Sequence, residues 1–146
     1  MQNYTFGVNV AKIKNICSSF VNSKSKEYNI TNNQAIFLKF LLDPSKPSQK
    51  DIISFVGCDK SQASRILQEL KDKGLVVEKV DHLDNRKKVY EVTAEGKRIH
   101  EHINSQLTYL MDSILFEGFS KEQKQTFCTL MEKMSDNLNN YNKEDK

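Results

Sequence analysis

The sequence is poor in the residues that would mark a secreted, membrane-bound or metal-dependent protein. Cysteine occurs three times, as Cys17, Cys58 and Cys128. An odd count without CxxC spacing suggests neither a disulfide framework nor a zinc knuckle, and reduced thiols are expected. Both prolines fall within residues 43–47, which predicts one loop there and leaves helices free to form elsewhere. Long hydrophobic runs are missing, because Lys, Asn, Asp or Glu interrupts each one short of the roughly 18 apolar residues a membrane span needs. Residues 1–14 lack the apolar core and cleavage site of a signal peptide, so a cytoplasmic chain with no membrane partner is expected. There are three histidines: His82, and His100 with His102. The last two are two apart on a predicted helix and point roughly 200° from one another, so they do not form a chelating pair. No Gly-rich serine elbow and no phosphate loop occurs. No enzyme, metal site or cofactor is expected.

What is present is 146 residues, 38% of them hydrophobic, with a formal net charge of +3. That length suits a single domain. The charge is unevenly placed: residues 46–98 hold twelve Lys or Arg against nine Asp or Glu, and the rest of the chain holds ten of each. The whole basic excess therefore lies in the middle.

Apolar residues at helical spacing predict a helix over about residues 4–26, carrying Val10, Ile13, Ile16, Cys17 and Phe20. Thr31 with Gln34 reads as a capping box opening a second helix that runs to about Leu42. Ser48 caps a short third helix that Gly57 ends. Asp59 with Gln62 caps a fourth, whose Ala63, Ile66, Leu67 and Leu70 follow i, i+3, i+4, i+7 up to Gly74. Two β-branched runs, residues 75–80 and 89–93, flank a polar loop and predict a hairpin. Thr93 opens a fifth helix striped by Ile99, Ile103, Leu107, Leu110 and Ile114. Ser120 with Gln123 caps a sixth, striped by Phe127, Leu130, Met131, Met134 and Leu138. The fold class expected is mainly α with a small β-hairpin.

Two short helices joined through a Gly-containing turn and followed by a two-stranded hairpin give the order of a winged helix-turn-helix. With the core positions of the fourth helix on one side, Ser61, Arg65, Gln68 and Asp72 lie opposite and Ser64 on a flank. Ser, Arg and Gln hydrogen-bond base edges and phosphates. Asp72 and Glu69 repel phosphates, so the N-terminal half is expected to enter the groove. The hairpin tip brings His82, Arg86, Lys87 and Lys88 together, a basic loop suited to the narrow, electronegative minor groove. The alternative is an ordinary solvated helix face and a polar turn whose Asp81 and Asp84 neutralise the bases.

Over nearly its full length the chain resembles the MarR family of transcriptional regulators. The resemblance rests on Thr31, Gln34 and Ala35, on residues 59–65 (DKSQASR), on Leu70 with residues 73–76 (KGLV), and above all on residues 81–86 (DHLDNR) followed by residues 92–96 (VTAEG). These last look like the family's D-x-x-D-x-R wing and L-T-x-x-G hinge. The sequence departs from the pattern at Asn85, where another Arg is frequent, and at Val92, where Leu is usual. The resemblance implies one MarR-like domain over residues 1–146, with a winged helix-turn-helix lobe at about 30–93 and dimerisation helices at about 4–27 and 94–140. It also implies that Arg86 reaches the minor groove with Asp84 orienting it, and that Arg65 acts either as a base reader or as a partner for a wing carboxylate.

The expected protein is thus a sequence-specific DNA-binding regulator, a ligand-responsive repressor gripping a palindromic operator on double-stranded DNA as a homodimer. Its expected DNA-binding residues are Ser61, Gln62, Ser64, Arg65, Gln68, Asp84, Arg86, Lys87 and Lys88. A small-molecule effector is expected in a crevice lined in part by Phe20, Phe37 and Tyr109, which equally suit plain core. Two alternatives stay open: a helical protein-interaction adaptor, and a regulator sensing oxidants through Cys17.

Overall fold

The computed structural model describes residues 2–80 and 88–144. Its elements are helices α1 (Gln2–Lys26), α2 (Asn32–Leu42), α3 (Gln49–Val56) and α4 (Lys60–Asp72), strands β1 (Val76–Val80) and β2 (Lys88–Val92), then helices α5 (Ala94–Leu110) and α6 (Lys121–Glu144). The strands form one antiparallel hairpin, with Val76 opposite Val92 and Val80 opposite Lys88. The chain divides into two compact units, Met1–Leu107 and Thr108–Lys146.

The helix starts follow from side-chain caps. Thr31, Ser48 and Asp59 each accept a hydrogen bond from the backbone N–H three residues on, while Gln34, Asp51 and Gln62 reach back to the cap N–H. Each box satisfies two donors that a helix start otherwise leaves unpaired. Helix α3 stops at Gly57, and α4 is closed by Gly74, whose φ of +69° places it in the left-handed region. There the Leu75 N–H donates to Leu70 C=O and the Gly74 N–H to Lys71 C=O, both at 2.9 Å. This pairing satisfies the last carbonyls of α4 and turns the chain into β1.

In the first unit the core gathers Phe37 and Leu38 of α2, Ile52 of α3, Leu75 and Val76, and Ile99 and Ile103 of α5 around the apolar face of α4. Ala63, Ile66, Leu67 and Leu70 are all buried, as their spacing predicts. A close approach fixes the start of α5. A Cβ on Gly96 would press on the carbonyl oxygen of Leu75 and lie 2.6 Å from Val92 Cγ1. Thr93 secures the same corner, accepting from Gly96 N–H at 3.2 Å and donating to Gly74 C=O at 2.8 Å.

In the second unit Phe116 packs edge-on against Phe119 and Phe127, with ring centroids 5.5 and 5.6 Å away. Lys124 pairs with Asp112, and Ser120 with Gln123 forms the expected cap of α6.

The strands differ from expectation by one residue at their ends, and two helix boundaries differ as well. Helix α1 starts at Gln2 rather than about residue 4. The fifth helix was expected to keep its stripe through Ile114, but regular α-helix ends at Leu110 and a π-helical turn follows over Met111–Leu115. Phe116 N–H reaches back five residues to Met111 C=O at 2.9 Å. The wider turn shifts the phase of the helix surface, which spacing alone does not reveal.

Candidate nucleic-acid interface

The candidate interface is built on α4 and the hairpin. Along α4 the exposed residues are Lys60, Ser61, Gln62, Ser64, Arg65, Gln68, Lys71 and Asp72. The first two turns of that face carry two cations and hydrogen-bonding neutral side chains, and acidic groups enter only with Glu69 and Asp72. A helix of this polarity offers its N-terminal half to a polyanion, aided by the positive end of its dipole.

The expected DNA-binding residues differ in how they are held. Ser61 and Ser64 are exposed. The Gln62 side-chain carbonyl accepts from Asp59 N–H at 3.0 Å, so that part of Gln62 serves the cap. Gln68, itself exposed, donates through Nε2 to Asp72 at 2.7 Å, one turn further on. Arg65 is 73% exposed and lies 3.8 Å from Glu69 on the same helix. Lys88 lies 3.3 Å from Glu78 across the hairpin, and exposed pairs of this kind are weak enough to yield to a phosphate. Asp84, Arg86 and Lys87, with His82, lie outside the described residues.

The structure adds residues that sequence reasoning missed. Gln34 is 1% exposed, and its Nε2 donates to Glu69 at 2.7 Å while its Oε1 accepts from Thr31 N–H and from Lys73. Lys73 also donates to Asn29 C=O. Glu69, read from sequence only as a group unfriendly to phosphate, is therefore the bolt that fixes α4 to the start of α2. A second cluster joins α4 to the hairpin. Glu78 receives Lys71 at 3.5 Å, Lys88 at 3.3 Å and the Tyr90 hydroxyl at 3.5 Å. Partial burial works against its charge, yet Lys88 and Lys71 prevail and hold its carboxyl below the usual range. Tyr90 is pushed upward by burial and by Glu78. The only sequence signal for either cluster was acidic residues inside an otherwise basic segment. Lys60, beside Ser61, adds an exposed cation to the first turn.

The three expected crevice residues differ in their surroundings. Phe37 is 1% exposed and belongs to the core; it borders a cavity beside β2. Phe20 is half-buried on α1, and Tyr109 is exposed in the second unit. A cavity of about 610 Å³ is lined by none of the three, but by α1, α2, α3 and α5 side chains that include Cys17, Lys39 and His100. On α2 it is Ile36 and Lys39, not Phe37, that border this cavity. Among the described residues no helix is long and apolar enough to cross a membrane.

Comparisons with known proteins agree with this geometry. Residues 30–96 match the family model of a winged helix DNA-binding domain. Three solved structures are similar over most of the chain. A MarR transcriptional regulator from Methanosarcina mazei Go1 is 23% identical, covering 92% of this chain and 96% of that one, with a TM-score of 0.75. MepR from S. aureus, in complex with DNA, is 23% identical, with coverage of 94% and 99% and a TM-score of 0.72. CouR from Rhodococcus jostii RHA1, bound to p-coumaroyl-CoA, is 22% identical, with coverage of 91% and 88% and a TM-score of 0.69. Residues 30–96 thus match a winged helix DNA-binding domain, and the chain has the fold of the solved MarR transcriptional regulators.

Proposed function

We propose that this DNA-binding regulator is a ligand-responsive repressor that acts in the cytoplasm as a homodimer on a palindromic operator, the whole of residues 1–146 serving as one MarR-like domain. The observation that carries the reading is the exposed face of α4, basic and neutral over its first two turns and braced from behind by Gln34 and by Glu78. Ser61, Ser64 and Gln68 face the major groove, Gln62 and Arg65 flank them, and Arg86 enters the minor groove with Asp84, Lys87 and Lys88 around it. Two such lobes bind half-sites when their recognition helices stand about 34 to 36 Å apart.

Support for pairing comes from apolar surface. Phe6 and Ile16 of α1 are exposed, and so, in the second unit, are Leu130, Met134 and Leu138 along one stripe of α6; a helix stripe left open in this way calls for a cover. A ligand response fits the open cavity beside α1, and CouR shows a protein of this fold holding p-coumaroyl-CoA.

Selection of binding sites from random duplexes tests the reading. The expected result is an inverted repeat with half-site centres one helical turn apart, protected from cleavage over both halves. A single unrepeated half-site, or no enrichment, would contradict it.

A further inference from the structure

Glu69 stands beside the DNA-facing side of α4 and meets partners in two directions. One carboxylate oxygen accepts from Gln34 Nε2 at 2.7 Å. The other lies 3.8 Å from Nε of Arg65, one turn nearer the start of the helix. Gln34 is 1% exposed, and its own carbonyl oxygen accepts from Thr31 N–H and from Lys73, both at 3.1 Å. The carboxylate is thus tied to a buried amide whose orientation its other partners fix.

Arg65 is the opposite case. Its side chain is 73% exposed, and among the described residues Glu69 is its only ion-pair partner. A long, mobile cation beside DNA goes to whichever phosphate is nearest, and such a contact carries no sequence information. Restraining the guanidinium removes the rotamer freedom that makes this possible. Glu69 approaches Nε, which leaves the two terminal nitrogens for the paired acceptors O6 and N7 of a guanine. The same carboxylate, 45% exposed, repels phosphates. In water the pair is worth little; against a groove it is drier and gains strength.

We infer that Glu69 is a positioning residue for base reading. Anchored by Gln34, it holds the Arg65 guanidinium toward a base edge, and its charge opposes the phosphate contacts that would let α4 bind any sequence. The chain gives up affinity for arbitrary DNA and gains preference at the base that Arg65 meets. The inference rests on the docking of α4 proposed above.

The test is fluorescence anisotropy on the full chain with the selected operator, its single-base variants and a scrambled duplex. Arg65→Ala should lose about ten-fold preference at one position in each half-site. Glu69→Gln keeps an oxygen for Gln34 to donate to and removes the charge that faces Arg65. It should lose most of the same preference at the same position, and the double variant should lose no more than Arg65→Ala alone. Toward the scrambled duplex Glu69→Gln should bind several-fold more tightly, with a steeper dependence on salt. Gln34→Met frees the carboxylate but keeps its charge, so it should lose the preference at that position without that gain. A carboxylate that only supports the fold would weaken both duplexes together and leave the base profile unaltered, and that result overturns the inference. Additive losses in the double variant overturn it as well. If Arg65→Ala changes preference nowhere while Gln68→Ala shifts its own position, the role of Glu69 fails and the docking of α4 stands. If neither variant shifts any position, the docking fails with it.

Discussion

Helices α4 and α6 look alike in sequence, each capped at its start and each striped with apolar residues, yet the fold uses them differently. Every apolar residue of α4 is buried. None of the described residues of α6 is buried, and Leu130 stays 55% exposed. The difference teaches that an apolar stripe records a surface to be covered without saying by what. For α4 the cover is α2, the hairpin and α5 of the same chain; for α6 the proposed cover is a second copy.

The largest contrast is between truncating the two stripes. Leu70→Ala removes a fully buried side chain and should destabilise the fold by about 2 to 5 kcal/mol. Urea denaturation should give the same loss at any protein concentration. Leu130→Asp with Met134→Asp should act through assembly instead. The variant should sediment as a 16.9 kDa monomer where the parent sediments near about 34 kDa. A parent that sediments as a monomer at micromolar concentration would break the comparison.

A smaller contrast lies between two glycines. Gly96→Ala forces a methyl against Leu75 and Val92 and should cost about 1 to 3 kcal/mol. Gly7→Ala meets nothing within 4 Å on α1 and should instead stabilise by about 0.5 to 1 kcal/mol. Thermal melts of both variants check the difference in sign.

The part of the design legible in sequence was local. Thr31, Ser48, Asp59 and Ser120 announce helix starts because a cap needs only a neighbour three residues on. Gly74 announces an end for a similar reason, and the buried face of α4 follows from its period. The wing motif was legible by resemblance, although its tip falls outside the described residues. What stayed hidden depended on distant partners. Glu69 meets Gln34 thirty-five positions away, and Lys71 meets Glu78 only once the hairpin folds back. Gly96 stood out only through the resemblance, as the last residue of the hinge motif, because nothing nearby in sequence says that Leu75 will lie against it. Ile36 borders the cavity beside α1 and Phe37 the one beside β2; they are neighbours in sequence, about 100° apart around the helix, and only the packing of the other elements decides what each meets.

The brace of α4 gives the next contrast. Glu69→Ala leaves the buried amide of Gln34 without its partner and should cost about 1 to 2 kcal/mol. Asp72→Ala removes only an exposed partner of Gln68 and should change stability by less than about 0.5 kcal/mol. Equal losses in chemical denaturation would mean that Glu69 does not hold the helix.

The smallest effect is on pH dependence. The pKa of His100 is lowered in the fold, so the folded state binds fewer protons than the unfolded chain. Its contribution is present above the ordinary histidine value near about 6.5 and is lost as pH falls through the lowered folded value. The parent should therefore lose a fraction of its stability below about pH 6.5 that His100→Gln does not lose, as denaturation midpoints across pH will show.

The central claim, that α4 reads bases while the wing supplies charge, is tested most directly by operator affinity across salt concentration, measured by fluorescence anisotropy for the parent, Gln68→Ala and Arg86→Ala. The account predicts that Gln68→Ala keeps the parent's salt slope and loses about 1 to 3 kcal/mol of preference at one base position in each half-site. It predicts that Arg86→Ala flattens the slope of log affinity against log salt by about two in a dimer, one for each phosphate contact removed. A folded Gln68→Ala protein with unchanged base preference, together with an Arg86→Ala protein of unchanged slope, would contradict the proposed docking.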